Sequence, residues 1–140
     1  MENIINVIVK EAKIAYKKGE IPVGAAIVKD GKIISKAHNL KENKQISTYH
    51  AEIIAINKAC KKLKTWHLDN CTLYTTMEPC AMCTGAILQS RIKKIVYILE
   101  NDLFGNLRNN KIFKNNKYEI VKYDDGRVLE LVQNFFKERR

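Results

Sequence analysis

The run Cys71-Thr72-Leu73-Tyr74-Thr75-Thr76-Met77-Glu78-Pro79-Cys80-Ala81-Met82-Cys83 decides how this chain folds. Cys71 to Thr75 is β-branched and aromatic, the composition of a strand. It delivers the chain through Met77-Glu78-Pro79 into a segment, Cys80 to Gln89, that reads as a helix. The small residues Ala81, Thr84, Gly85 and Ala86 let that helix pack closely. Lys94 to Leu99 is the next strand.

Upstream, Ile53, Ile54, Ile56 and Ala59 make His50 to Leu63 a helix buried on more than one side, which places it against a sheet. Asn39 to Thr48 is polar and loop-like, with Ser47 and Thr48 as candidate caps for that helix. Two strands, Ala25 to Lys29 and Lys32 to Ala37, flank the hairpin signal Asp30-Gly31 and are entered through Ile21-Pro22-Val23-Gly24. Ile4, Ile5, Ile8, Ala12 and Ala15 recur at helical spacing, so a first helix spans Glu2 to Lys18 and ends near Gly19. Downstream, Asn101 to Asn116 is loop with one turn of helix at most. Tyr118 to Tyr123 is a strand, and Arg127 to Lys137 a terminal helix carrying Leu131, Phe135 and Phe136. The alternation predicts a three-layer α/β/α sandwich on a central five-stranded mixed sheet, built as one domain over residues 1–140.

The chain has 140 residues and a formal net charge of +10, from 25 Lys and Arg against 15 Asp and Glu. Such an excess favours a polyanionic partner. A lysine-rich bias serving solubility is the alternative, and Lys111-Ile112-Phe113-Lys114-Asn115-Asn116-Lys117 fits it. No apolar run approaches the ~20 residues of a membrane span, and the start, Met1-Glu2-Asn3, is polar. With four cysteines, two of them in a C-x-x-C, this points to a cytoplasmic protein whose cysteines serve metal or redox chemistry.

Cys80 and Cys83, at the start of a helix, project their sulfurs from one face. Joined by His50, they make an imidazole and two thiolates, a donor set suited to zinc. Three protein ligands leave one position open. A structural site fills all four with protein, whereas a catalytic site keeps one for water and lowers that water's pKa towards ~7. Glu52, two residues past His50, falls in the same first helical turn, in reach of that water without being a ligand. Both halves of the site then sit at helix N-termini, whose positive dipole ends favour thiolates.

Other readings of the C-x-x-C are a redox pair and a structural zinc. The redox reading leaves His50-Ala51-Glu52 unexplained. Structural zinc needs a fourth ligand from Cys60, Cys71, His38 or His67; Cys60 and Cys71 read more simply as small buried side chains. Trp66 and His67 read as surface or packing residues. His38-Asn39 ends a strand at the edge where the metal lies, so the Asn39 amide is placed to read a base.

His50-Ala51-Glu52 followed by Pro79-Cys80-Ala81-Met82-Cys83 resembles the zinc-dependent nucleoside and nucleobase deaminases, whose H-x-E…P-C-x-x-C signature and mechanism are a standard example. Within that superfamily the chain is most similar to the bacterial tRNA adenosine deaminases. The likeness extends over Ile21-Pro22-Val23-Gly24-Ala25, Thr72 to Cys80, Gly85-Ala86-Ile87, Ser90-Arg91-Ile92 and the terminal Phe135-Phe136-Lys137-Glu138-Arg139-Arg140. The resemblance implies a cytidine deaminase-like fold and one zinc ion per subunit, held by His50, Cys80 and Cys83. It implies that Glu52 shuttles protons, that Asn39 and the backbone of Ala51 contact the flipped-out base, and that Val23, Met77 and Asn101 lie around it. The implied reaction turns the wobble adenosine of a tRNA anticodon loop into inosine, on a homodimer with the tRNA spanning both subunits. The same chemistry on a free base of guanine or cytosine type is an alternative; an RNA-binding protein with a structural zinc is another. The chain departs from the usual pattern in a short Gly105 to Lys117 segment, in Asn101 where an aspartate is common, and in Ile46-Ser47-Thr48-Tyr49 before the histidine.

Overall fold

The computed structural model describes residues 1–139; Arg140, part of the terminal stretch quoted above, lies outside them. Helix α1 (Glu2–Lys17) precedes a hairpin of β1 (Gly24–Lys29) and β2 (Lys32–His38). A short helix α2 (Lys41–Lys44) leads to α3 (Ala51–Leu63), β3 (Cys71–Met77), α4 (Ala81–Gln89) and β4 (Lys94–Leu99). A 3-10 turn at Lys111–Lys114 precedes β5 (Glu119–Lys122) and α5 (Gly126–Glu138). The sheet order is β2-β1-β3-β4-β5. β1 is antiparallel to both neighbours, whereas β3, β4 and β5 run parallel, so the five-stranded sheet is mixed as expected.

Alternation along the strands sends side chains to two cores. Ala25, Ile27, Leu73, Ile95 and Tyr97 pack with Ala51, Ala55 and Ala59 of α3 and Ile87 of α4. On the other face Ala26, Val28, Tyr74, Val96 and Ile98 meet Ile5, Ile8 and Val9 of α1 and Val128 of α5. Three layers result. Gly24 is where α1 crosses β1: a Cβ there would lie 2.1 Å from the Ile8 carbonyl oxygen, so only glycine permits the approach. The hairpin turn carries Asp30 at φ 51° and Gly31 at φ 75°, the two left-handed positions of a type I′ turn.

Two local expectations need correcting. Ser47 and Thr48 do not cap α3: the residue before the helix is His50, without a side-chain cap bond of its own. The Asn39 Oδ1 accepts the Ala51 N–H instead, at 2.7 Å, from twelve residues upstream. The segment after Asn39 is not all loop, because α2 is fixed by the Glu20 carboxylate, which accepts from the N–H groups of Glu42 and Asn43. Between β4 and β5 the only regular piece is the 3-10 turn. Leu107 and Phe113 bury there against the α3/α4 core, with Phe113 edge-on to Tyr118, in the place a crossover helix would occupy.

Candidate active site and metal centre

β3 ends at Met77 and β4 at Leu99, and a cleft of about 660 Å³ opens beyond these strand ends. His50 and Cys80 each occupy the N-cap position of their helix, α3 and α4, and Cys83 sits in the first turn of α4. The His50 Nδ1 lies 3.7 Å from the Cys80 Sγ and 3.6 Å from the Cys83 Sγ. A cation bound at about 2.05 Å to nitrogen and about 2.3 Å to sulfur with tetrahedral angles needs N···S separations of roughly 3.6 Å. Both nitrogen–sulfur separations therefore match what such an ion requires.

Proton sharing marks the same three side chains. The Cys83 hydrogen bond, with that of His50, holds the Cys80 thiol down to about 3, and the bond to Cys80 together with burial pushes Cys83 far up. The sulfur of Cys80 also raises His50. A dication bound between the two sulfurs would let both ionise. Glu52 falls outside the group of three donor atoms but lines the same cleft, is 4% exposed, and is pushed up to about 7 by burial. Among the described residues the metal-capable group has no fourth member. His38 is tied to Glu11 at 3.0 Å, His67 stacks on exposed Trp66, and Cys71 is buried near β3's other end.

The remaining residues expected at the site gather here in different ways. Val23, Asn39, Met77 and Asn101 line the cleft. Ala51 is fully buried, and its N–H goes to Asn39, whose Nδ2 donates to the Ile21 carbonyl. Asn101 uses its Oδ1 to accept the Phe104 N–H. Several cleft residues were not expected at the site from the sequence: Glu20, Lys41, Glu78, Phe104, Phe135 and Arg139. Phe135 belongs to the apolar stripe of α5 and reads as core. Glu78 is the most consequential. Its carboxylate, with the side chain wholly buried, accepts from the N–H groups of Asn101, Leu107 and Arg108 and from the Arg108 Nε at 2.8 Å. A Glu beside Pro79-Cys80 was visible, but the loop it gathers from more than twenty residues away was not.

The whole chain, residues 1–140, matches the family described as MafB19-like deaminase. The chain belongs to the MafB19-like deaminase family. Among its curated relatives, the tRNA-specific adenosine deaminase of Aquifex aeolicus is 41% identical over 99% of this chain and 95% of that protein. The tRNA-specific adenosine deaminase of Bacillus subtilis is 54% identical over 89 residues, which span 64% of this chain and 55% of that protein. A structure from a study of A-to-I editing by tRNA:A34 deaminases at the wobble position of transfer RNA superposes with a TM-score of 0.84 at 28% identity, covering 94% of this chain and 99% of the other. The X-ray structure of guanine deaminase from Bacillus subtilis superposes with a TM-score of 0.69 at 35% identity, covering 99% and 92%. The deaminase family and the α/β fold expected from the sequence are thus both borne out.

Proposed function

We propose that this protein is a zinc-dependent hydrolytic deaminase that converts adenosine to inosine at the wobble position of tRNA. The observation that carries the chemistry is the convergence of His50, Cys80 and Cys83 with buried Glu52 in one cleft. Full-length similarity to proteins named for the tRNA reaction supports the substrate. His50 Nδ1, Cys80 Sγ and Cys83 Sγ hold the zinc, and when bound it supplies a Lewis acid that brings a water's pKa towards neutrality. Glu52 takes one proton from the attacking water and delivers it to the purine N1, then carries the water's second proton to the amine leaving C6, so that the water oxygen stays as the C6 carbonyl and ammonia departs. Burial suits Glu52 to this, since a carboxyl raised to about 7 both accepts and releases a proton near neutral pH.

Asn39 keeps one lone pair on Oδ1 and one hydrogen on Nδ2 beyond its bonds to Ala51 and Ile21, and at the cleft lining these serve to hold the base. Ala51 serves the base through Asn39, by fixing that amide. Val23 and Met77 supply apolar parts of the cleft wall and Asn101 a polar one. A homodimer accounts for α4, which is apolar on all sides yet leaves Met82 exposed and Gly85 and Ala86 half-exposed. Light scattering tests that. A tRNA substrate and four unpaired cysteines fit the cytoplasm; among the described residues no helix is long and apolar enough to cross a membrane.

Incubation of the purified protein with total tRNA should produce inosine at the wobble position. The similarity to guanine deaminase favours a second reading, a free purine base as substrate. Ammonia release from guanine with no inosine in tRNA would replace the first reading with the second.

A further inference from the structure

The loop Asn101–Arg108 forms one wall of the cleft and carries the most exposed apolar side chains of the described residues: Leu103 is 87% and Phe104 71% exposed. The loop is clamped. Arg108 lies 2.8 Å from Glu78, 3.5 Å from Glu100 and 3.1 Å from Asp102, so one guanidinium closes the loop's two ends on a buried carboxylate. Asn101 fixes the turn from within, its Oδ1 accepting the Phe104 N–H and its carbonyl the Gly105 N–H at 2.9 Å. Gly105 bridges to Cys80, and a Cβ there would lie 2.3 Å from the Asn101 carbonyl and 2.6 Å from the Glu78 carboxylate. The ring of Phe104 is therefore held out towards water by a fixed turn bolted to the metal-ligand turn, not stranded on a slack segment.

A fixed, solvated aromatic ring beside a cleft with room for more than a single base has one evident use in a chain of net charge +10. Bases stack on such rings whatever their identity, while nearby cations take the backbone; Lys41 and Arg139 stand at the same cleft. We propose that Phe104 is a stacking platform for the nucleotide next to the target base, so that the clamped loop makes this cleft a site for a polynucleotide and not only for a free base. The proposal rests on the tRNA deaminase reading given above.

The test uses the Glu52→Ala protein, with and without Phe104→Ala, and an anticodon stem-loop RNA. The RNA is offered intact, or abasic on the 5′ or the 3′ side of the target adenosine. Phe104→Ala should weaken binding of the intact RNA roughly 5- to 150-fold. On one of the two abasic RNAs the two proteins should bind alike, and Phe104→Trp should restore binding of the intact RNA. An equal loss on all three RNAs, or no loss on the intact one, overturns the proposal. So does a change in oligomer mass in Phe104→Ala, which would assign the ring to a protein contact. Inosine formation by the unaltered protein is scored separately. Inosine without the Phe104 pattern sinks only the stacking platform; the Phe104 pattern without inosine sinks the deaminase reading and leaves the platform standing.

Discussion

Three carboxylates around the cleft are cut off from water, Glu20 at 1% exposure, Glu78 at 2% and Glu52 at 4%, and their surroundings divide them. Glu78 is saturated by three backbone N–H groups and a guanidinium. For Glu20 burial pulls the pKa up, but the bonds from Asn43 and Glu42 outweigh it and hold the carboxyl below its ordinary range. Both spend their oxygens on holding the backbone in place. Glu52 is the one that burial dominates, and a carboxyl raised in this way is poised to exchange a proton. Glu52→Ala should keep zinc at one per chain and leave the fold intact while lowering deamination by about 10²- to 10⁴-fold. Metal analysis and initial rates on the same preparation check it, and near-normal turnover would remove Glu52 from the mechanism.

At the scale of the element, the three long helices that meet the cleft are begun in different ways. α3 is started by Asn39 from another segment, whereas Cys80 stands at the N-cap of α4 without a side-chain cap bond. α5 has an ordinary cap, Asp125, which accepts from the Arg127 N–H at 3.0 Å and pairs with its guanidinium at 2.7 Å. Its last turn brings Phe135 and Arg139 to the cleft, and the Tyr16 hydroxyl donates to Glu138 across α1 and α5. The Arg127 hydrogen bond holds Asp125 below the usual carboxylate range. A depressed folded-state pKa gives stability that is present above the unfolded value, ~3.9, and lost as pH falls through the folded one. Asp125→Ala should cost about 1 kcal/mol at neutral pH in denaturant unfolding. That difference from the parent should shrink below pH ~4; a penalty that stays constant into acid would show that the charge plays no part.

At the scale of the molecule, the parallel half of the sheet aligns the ends of β3 and β4, and the cleft lies where these ends meet the starts of α3 and α4. Removing a zinc ion with a chelator takes the counter-charge from two thiolates, so it should abolish deamination and lower Tm, both restored by added zinc. Activity that survives complete chelation would exclude the metal from the reaction. The net charge of +10 acts over the whole surface. Binding of an anticodon stem-loop should weaken linearly in log–log terms with salt, with a slope of about −0.7 per phosphate neutralised on single-stranded stretches. A flat dependence would mean that the positive charge serves solubility.

The strands, the long helices, the type I′ hairpin and the four residues His50, Glu52, Cys80 and Cys83 were legible in the sequence, because each depends on local periodicity, a turn dipeptide or ligand spacing within one helical turn. Asn39 as the cap of α3, Glu20 beneath α2, and the Glu78–Arg108 clamp that fixes Phe104 at the cleft were not. Each is a hydrogen bond between residues twelve or more apart, and a buried carboxylate reads in sequence like any solvated one until the fold shows which N–H groups close around it.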